Sequence, residues 1–378
     1  MASRQENRSN NKKRVPRYFD YNLLFLIIFL LGFGLVMLYS SSSYTSANKF
    51  GDSAYYLKRQ IRNILIGIIP MVFFAVYPYR RLRKYGGIAY IGAFLLCVLV
   101  LLPGIGSSSH GSSRWLALGP LSFQPSELAK LASILFLAMI LEKIPKSIAT
   151  FQGMIKVFAM LLPVVGVIAY QNLSTAVIIM AIAVCMMFVA SPKYWHFMVL
   201  GVAGLGVIAI FISSASYRNA RVQAWLHPES AGDKGYQTLQ ALYAIGSGKL
   251  FGKGLGQSIQ KMGNVPESQN DMIFSIICEE LGLFGAVCVI ILFILLLWRM
   301  MVIANNARDL YGALLVTGIM AHIAIQVILN IAVVTNSMPN TGVILPFISY
   351  GGTSIVFLMS EMGIALSVSK GIRLNTID

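Results

Sequence analysis

The stretch "DMIFSIICEELGLFGAVCVIILFILLLW", residues 271–298, decides the class of fold. From Met272 to Leu297 the only charges are Glu279 and Glu280. A run of about 20 mostly apolar residues is long enough to cross a bilayer as a helix. This one opens on a carboxylate, Asp271, directly after the polar "VPESQN" of 265–270. A charge at the head of a membrane segment is costly, so it needs a reason.

Working outward, similar runs fill the chain. The 378 residues are 57% hydrophobic and 12% charged, with a mean hydropathy of +0.71. Soluble domains carry about a quarter charged residues. The expected class is an all-α polytopic membrane protein. About ten transmembrane helices are read, at 21–41, 60–78, 87–103, 126–142, 154–171, 173–190, 195–214, 271–298, 309–333 and 343–368. Residues 1–20 form a polar, basic N-terminal arm, 21–370 the membrane domain, and 371–378 a tail. The first run is too long, and lacks the cleavage site, for a signal peptide. Cys97, Cys185, Cys278 and Cys288 sit in apolar runs without CxxC spacing, as packed thiols rather than metal ligands.

Charge orients the chain. The arm, "YRRLRK" at 79–84, "EKIPKS" at 142–147, Arg299 with Arg308, and Lys370 with Arg373 fall on alternate connections. These mark the cytoplasmic side, which then holds both termini. The net charge of +16 is explained by this topology and by anionic lipid, with no nucleic-acid partner needed. The other side receives a loop of about 215–270 between spans 7 and 8, and shorter loops at 42–59, 104–125 and 334–342. The working surface is expected there.

In "GSSRWLALGPLSFQPSELAK", 111–130, Ser126 suits an N-cap and Glu127 suits the first turn. Lys130 follows three residues later on the same side, so the two can simply pair. An intramembrane pair facing a polar cavity can equally belong to a site. On a helix, Asp271, Ser275, Cys278, Glu279 and Gly282 fall on one stripe. Asp271 is either a helix cap or a general base at a cavity mouth. The loop holds Arg218 and Arg221 in "YRNARVQAWLHPES", 217–230, and a Gly-rich basic stretch at 235–268. It is not a phosphate-binding Walker loop. Its lysines are either solvated or part of a lid gripping an anionic headgroup. In "NSMPNTGVILPFISYGGTS", 336–354, Pro339, Pro346 and Gly351-Gly352 predict irregular backbone lining a cavity, with Ser349, Tyr350, Thr353 and Ser354 as hydroxyls.

Four motifs in order, "GSSRWLALGPLSFQPSELAKLA", "GYQTLQALYAIGSGKLFGKGLGQS", "VPESQNDMIFSIICEELGLFG" and "MPNTGVILPFISYGGTS", together resemble the SEDS family (FtsW, RodA and SpoVE), the polytopic peptidoglycan polymerases. The resemblance implies ten helices with cytoplasmic termini in the bacterial cytoplasmic membrane. It implies glycosyl transfer from lipid II on the outer face. Asp271 matches the family's essential aspartate, as general base on the acceptor GlcNAc 4-hydroxyl. Lys130, Arg114 and Arg221 match basic positions that hold the undecaprenyl-diphosphate leaving group, and Glu127 a cavity carboxylate orienting Lys130 or a cation. Arg218, Ser275 and Ser349 complete the expected substrate-binding set. No cofactor is implied with certainty; a divalent cation, Mg or Mn, is the one candidate. Lipid II, a class B penicillin-binding protein transpeptidase and divisome or elongasome membrane proteins are the implied partners. Two departures stand out: Asn172 occupies the place of a usual Asp, and "VVTNS" at 333–337 is unusually polar. The basic arm and "YQTLQALYAIGSG" lean towards the FtsW or SpoVE branch, "HPES" at 227–230 resembles RodA, and the FtsW-like branch is the one expected. A lipid II flippase would share the cavity without needing a base, and a scaffold for a transpeptidase would need neither.

Overall fold

The computed structural model describes residues 19–102, 106–109, 112–118, 121–191, 193, 195–213, 222–230 and 232–372. The helices are α1 (Tyr21–Phe50), α2 (Tyr55–Val76), α3 (Tyr79–Leu82), α4 (Gly86–Leu99), α5 (Pro125–Lys143), α6 (Pro145–Ile148), α7 (Phe151–Gln171) and α8 (Leu173–Ala190). They continue with α9 (Trp195–Ser213), α10 (Asp233–Ser247), α11 (Ile273–Asn305), α12 (Leu310–Val334) and α13 (Ser354–Ser369). Each expected span overlaps one of these helices. Six of the described helices, α1, α2, α7, α8, α11 and α12, are long and apolar enough to cross a membrane, and α4 and α13 are shorter apolar helices. The protein is a multi-pass membrane protein. The tenth expected span, 343–368, is helical only from Ser354, because Pro346 and Gly351-Gly352 cannot sit inside a helix without cost.

Two connecting segments differ from the all-α expectation of bare loops. Strands β1 (Gly106–Ser109), β2 (Ser112–Leu118) and β3 (Leu121–Phe123) form an antiparallel sheet in the order β1-β2-β3. The long loop contains a helical turn at 222–226 and the whole of α10.

Caps explain several helix ends. The Asp20 side chain accepts from Leu23 N–H at 2.9 Å and starts α1. The same carboxylate holds Arg299 of α11 at 2.5 Å, and the Asp20 N–H donates to Ser369 of α13. Three helices are thereby tied at one end of the bundle. Asp309 starts α12 by accepting from Gly312 N–H at 2.8 Å, and also receives Tyr79 Oη and Arg80 Nε. Burial, with the bond to Asp309 second, pushes the Tyr79 phenol up to about 12.

The bundle packs through small residues. An added Cβ at Gly363 of α13 would lie 2.4 Å from Met71 O of α2, and one at Gly67 would lie 2.6 Å from Met359 Sδ. Glycine lets these backbones approach, as is usual where lipid supplies no hydrophobic drive. In α12, 67% of the most apolar window is buried, against 28% in α2. Large side chains such as Ile69, Val76 and Ile88 face outward, as they must if lipid covers them. The centre is therefore α12 with α5, whose inner face includes Ala132, Ile134, Leu137 and Ala138.

Candidate active site

Asp271 lies in a turn before α11, not in its first helical turn. The helix starts at Ile273 with Met272 at the N-cap position. Asp271 is therefore not in the capping position, and the expected stripe begins at Ser275 instead. Its far end also breaks: Gly282 has φ 68° and ψ −167°, outside any helix. Asp271 is buried, and its main-chain oxygen accepts from Asn330 Nδ2 of α12 at 2.7 Å. Its Oδ2 lies beside Gly342, 4.0 Å from where a Cβ would stand. The turn is anchored on both flanks: Tyr350 N–H donates to Gln269 O at 2.9 Å, and Ser268 Oγ donates to Ser41 O at 3.1 Å. Two expected hydroxyls are occupied by the backbone. Ser275 Oγ donates to Met272 O at 2.7 Å, and Ser349 Oγ accepts from Leu345 N–H at 2.9 Å.

Glu127 and Lys130 pair at 2.8 Å in the first turns of α5, both buried. Ser354 Oγ, at the start of α13, donates to Glu127 Oε2 at 2.6 Å. Pro125 at the first helical position and the acid in the first turn suit this helix start. Lys130 makes no other polar contact with a described residue, so two of its three N–H donors are uncommitted there. Among the described residues no hydrogen bond or ion pair joins Glu127 or Lys130 directly to Asp271. The link runs through the irregular 343–354 segment, which carries Val343 at one end and Ser354 at the other.

Two of the loop lysines, Lys253 and Lys261, are tied to carboxylates of α11. Lys253 Nζ meets Glu279 Oε1 at 2.6 Å, and Lys261 Nζ meets Glu280 Oε1 at 2.8 Å. Glu279 also accepts from Ser247, Ser258, Ile259 N–H and Gln260 N–H. Glu280 also accepts from Ser40 of α1 and from Ser258 N–H. The backbone completes this clamp. At the Gly282 break, Glu279 O and Glu280 O accept from Lys253 and Gly254 N–H, while Leu283 and Phe284 N–H donate to Lys249 and Leu250 O. Loop backbone thus supplies the partners that the interrupted helix would have used. Glycine is required here: Cβ atoms at Gly248 and Gly252 would lie 1.9 and 2.2 Å from Cys278 O and Glu280 O.

Sequence reasoning missed another buried pair. His322 Nδ1 of α12 lies 2.9 Å from Glu361 of α13, and both are sealed from solvent. Their signal was available, since each is an ionisable residue inside an apolar span. It missed Asn330 as well. The two sequence departures have structural uses. Asn172 caps α8 by accepting from Thr175 N–H, a role Asn fills as well as Asp. Asn336 and Trp225 exchange hydrogen bonds, the indole donating to Asn336 O at 2.9 Å, so the polar "VVTNS" latches segment 222–226. Arg218 and Arg221 lie outside the described residues, as does the side chain of Arg114, whose backbone is in β2. Among the described residues no group of three or more His, Cys, Asp or Glu could hold a metal ion. A cleft of about 510 Å³ opens between α1, α2 and residues 255–261; it touches Ser40 and Lys261 rather than Asp271.

Fold and site together define a multi-pass membrane protein with a buried, rigidly anchored carboxylate turn at the head of a long helix. Residues 21–373 match the family of FtsW, RodA and SpoVE, described as cell cycle protein. The chain belongs to that family. It is 41% identical over 362 residues to stage V sporulation protein E of Bacillus subtilis (strain 168), covering 95% of this chain and 98% of that one. A probable peptidoglycan glycosyltransferase FtsW of the same organism is 37% identical over 379 residues, covering 96% and 93%. Of these two the sporulation relative is the more similar in sequence. Among solved structures, a chain from "Structural coordination of polymerization and crosslinking by a peptidoglycan synthase complex" has a TM-score of 0.77 at 28% identity, covering 93% of this chain and 97% of that one. The rod shape determining protein RodA of Thermus thermophilus gives 0.67 at 26%, covering 94% and 98%.

Proposed function

We propose that the protein is a peptidoglycan glycosyltransferase that polymerises lipid II on the outer face of the bacterial cytoplasmic membrane. Several relatives of 35–37% identity bear the name of that activity. The observation that carries the mechanism is the fixed position of Asp271 at the junction of the α11 turn with the irregular 341–350 segment. Basic connections put both termini, the arm 1–20 and the tail 371–378 in the cytoplasm. The Asp271 turn then faces outward.

In this reading the Asp271 carboxylate takes the proton of the acceptor GlcNAc 4-hydroxyl. That oxygen attacks the donor's anomeric carbon, the bond from that carbon to phosphate breaks, and undecaprenyl diphosphate leaves with the electron pair. Lys130, with donors to spare, stabilises the charge on the leaving diphosphate. Glu127 holds Lys130 in place, and Arg114, Arg218 and Arg221 add positive charge around the diphosphate. The buried state of Asp271 and Lys130 means that substrate entry opens the site, and closure excludes water. A divalent cation bound with the diphosphate would add charge stabilisation. The class B penicillin-binding protein crosslinks the strands produced.

The test is glycan-chain formation from labelled lipid II by purified, folded Asp271→Asn protein. Asn keeps the size of the side chain and removes the proton acceptor. The expected loss is roughly 10²–10⁴-fold, as for other lost acid–base groups. Chains formed at the wild-type rate would remove Asp271 from the chemistry and favour a flippase.

A further inference from the structure

We infer that Asn330 is a positioning residue for the glycosyl-transfer step, holding Asp271 against the 341–345 segment from within the bundle. This rests on the reading of Asp271 as the base. Asn330 is fully buried on α12, one turn before that helix ends at Val334. Its Nδ2 donates to Asp271 O at 2.7 Å and to Val343 O at 2.8 Å. Both neighbours are carbonyl oxygens, so only the NH₂ side of the amide can face them, and both its hydrogens are used. One side chain therefore joins three segments: α12, the turn carrying the carboxylate, and the chain that passes Gly342 alongside Asp271 Oδ2.

The bracket matters because neither joined segment is regular secondary structure. The 266–272 turn lacks a helical ladder of its own, and the 338–353 segment contains two prolines and left-handed backbone at Phe347, φ 64°. A general base loses efficiency when displaced by even about 1 Å. Helix α12 is the most buried of the six long apolar helices, so it is a stiff reference for both. Asn330 is also the outermost of three polar residues one turn apart on one face of α12, with Gln326 and His322 below it. All three are buried, and Asn330 Oδ1, Gln326 Oε1 and His322 Nε2 have no partner among the described residues. A buried amide is costly when half satisfied. Retaining one at 330 suits a residue whose NH₂ group has a task that an apolar side chain cannot perform.

The experiment measures kcat and KM for lipid II polymerisation by Asn330→Leu, Asp271→Asn and the double variant, each as full-length protein with its melting temperature recorded. Leu approximates the volume and removes both donors. The expected result is a kcat about 10–100-fold lower in Asn330→Leu with KM nearly unchanged, the loss expected of misplacement. In the Asp271→Asn background Asn330→Leu lowers the residual rate no further, because residues acting as a unit are not additive. Wild-type kcat in folded Asn330→Leu, or a full additional loss in the double variant, overturns the inference. If Asn330→Leu does not fold, Asn330→Ser, which keeps one donor, carries the test: a lower kcat at unchanged KM is expected, and wild-type kcat overturns it. The two readings fail differently. An active Asp271→Asn protein removes the base and this inference together. An inactive Asp271→Asn protein beside a fully active Asn330 variant removes only the bracket.

Discussion

Glu127 and Glu280 are both carboxylates buried in a membrane bundle, and each meets a lysine at 2.8 Å. Their surroundings separate them. Glu280 and its neighbour Glu279 are saturated by the chain itself: Ser40 from α1, Ser247 and Ser258, three loop amides, and both loop lysines. The Lys261 ammonium is shared between Glu280 and Ser40. Lys130 touches only Glu127 among the described residues, and Glu127 receives only Ser354 besides. A buried ion pair does not by itself mark a site. A buried carboxylate whose acceptor sites are filled by the fold holds the fold, and a buried ammonium with two of its three donors left over can meet a ligand.

This contrast breaks if the two pairs respond alike to mutation. The largest stability effect is expected at Glu280→Ala. It leaves Lys261 buried and unpaired, which costs about 3–5 kcal/mol. Thermal unfolding in detergent should show it, while the molecules that remain folded keep their polymerisation rate. Next comes the paired change Glu127→Gln with Lys130→Met. Removing both charges together leaves no stranded ion, so melting should shift little. Polymerisation should fall roughly 10²–10³-fold, as when an oxyanion-stabilising donor is lost. A large melting loss with intact turnover would put Glu127 and Lys130 in the same class as the clamp. Gly282→Ala is a smaller perturbation. Its left-handed backbone and contact with Gly252 should cost about 1–3 kcal/mol, with faster hydrogen exchange at Leu283 and Phe284. Least is expected from Lys253→Met, because that side chain is 30% exposed and solvent screens its pair. A loss of about 1 kcal/mol or less would fit, and a larger one would show the clamp to be more strongly coupled than its exposure suggests.

The helices were legible because long apolar runs with polar ends leave few other structures in a bilayer. Asp271 stood out for the same reason, though its place just outside α11 was not readable; Met272 and Ile273 look no different in sequence. The sheet at 106–123 was not legible. Its strands are short, and "GSSS" has neither alternation nor β-branched residues. Helix α10 has Thr238, Ala241 and Ala244 on its inward face at helical spacing, a period overshadowed by the glycine-rich stretch that follows it. The clamp was invisible for a deeper reason. Lys253 and Lys261 lie 26 and 19 residues from their partners, and only the fold-back of a glycine-rich backbone onto Cys278–Phe284 brings them together. His322 and Glu361 were each visible as buried ionisable residues, yet their pairing depends on how α12 packs on α13.

The break at Gly282 has a practical consequence for where the chain tolerates added length. Its four replacement hydrogen bonds count residues on both sides: 249 and 250 accept where 253 and 254 donate. One residue inserted between Leu250 and Lys253 would put one half of this splice out of step with the other. A reporter peptide placed there should abolish accumulation of the protein. The same peptide at Asn306, exposed on the connection between α11 and α12, interrupts no such count and should leave accumulation intact.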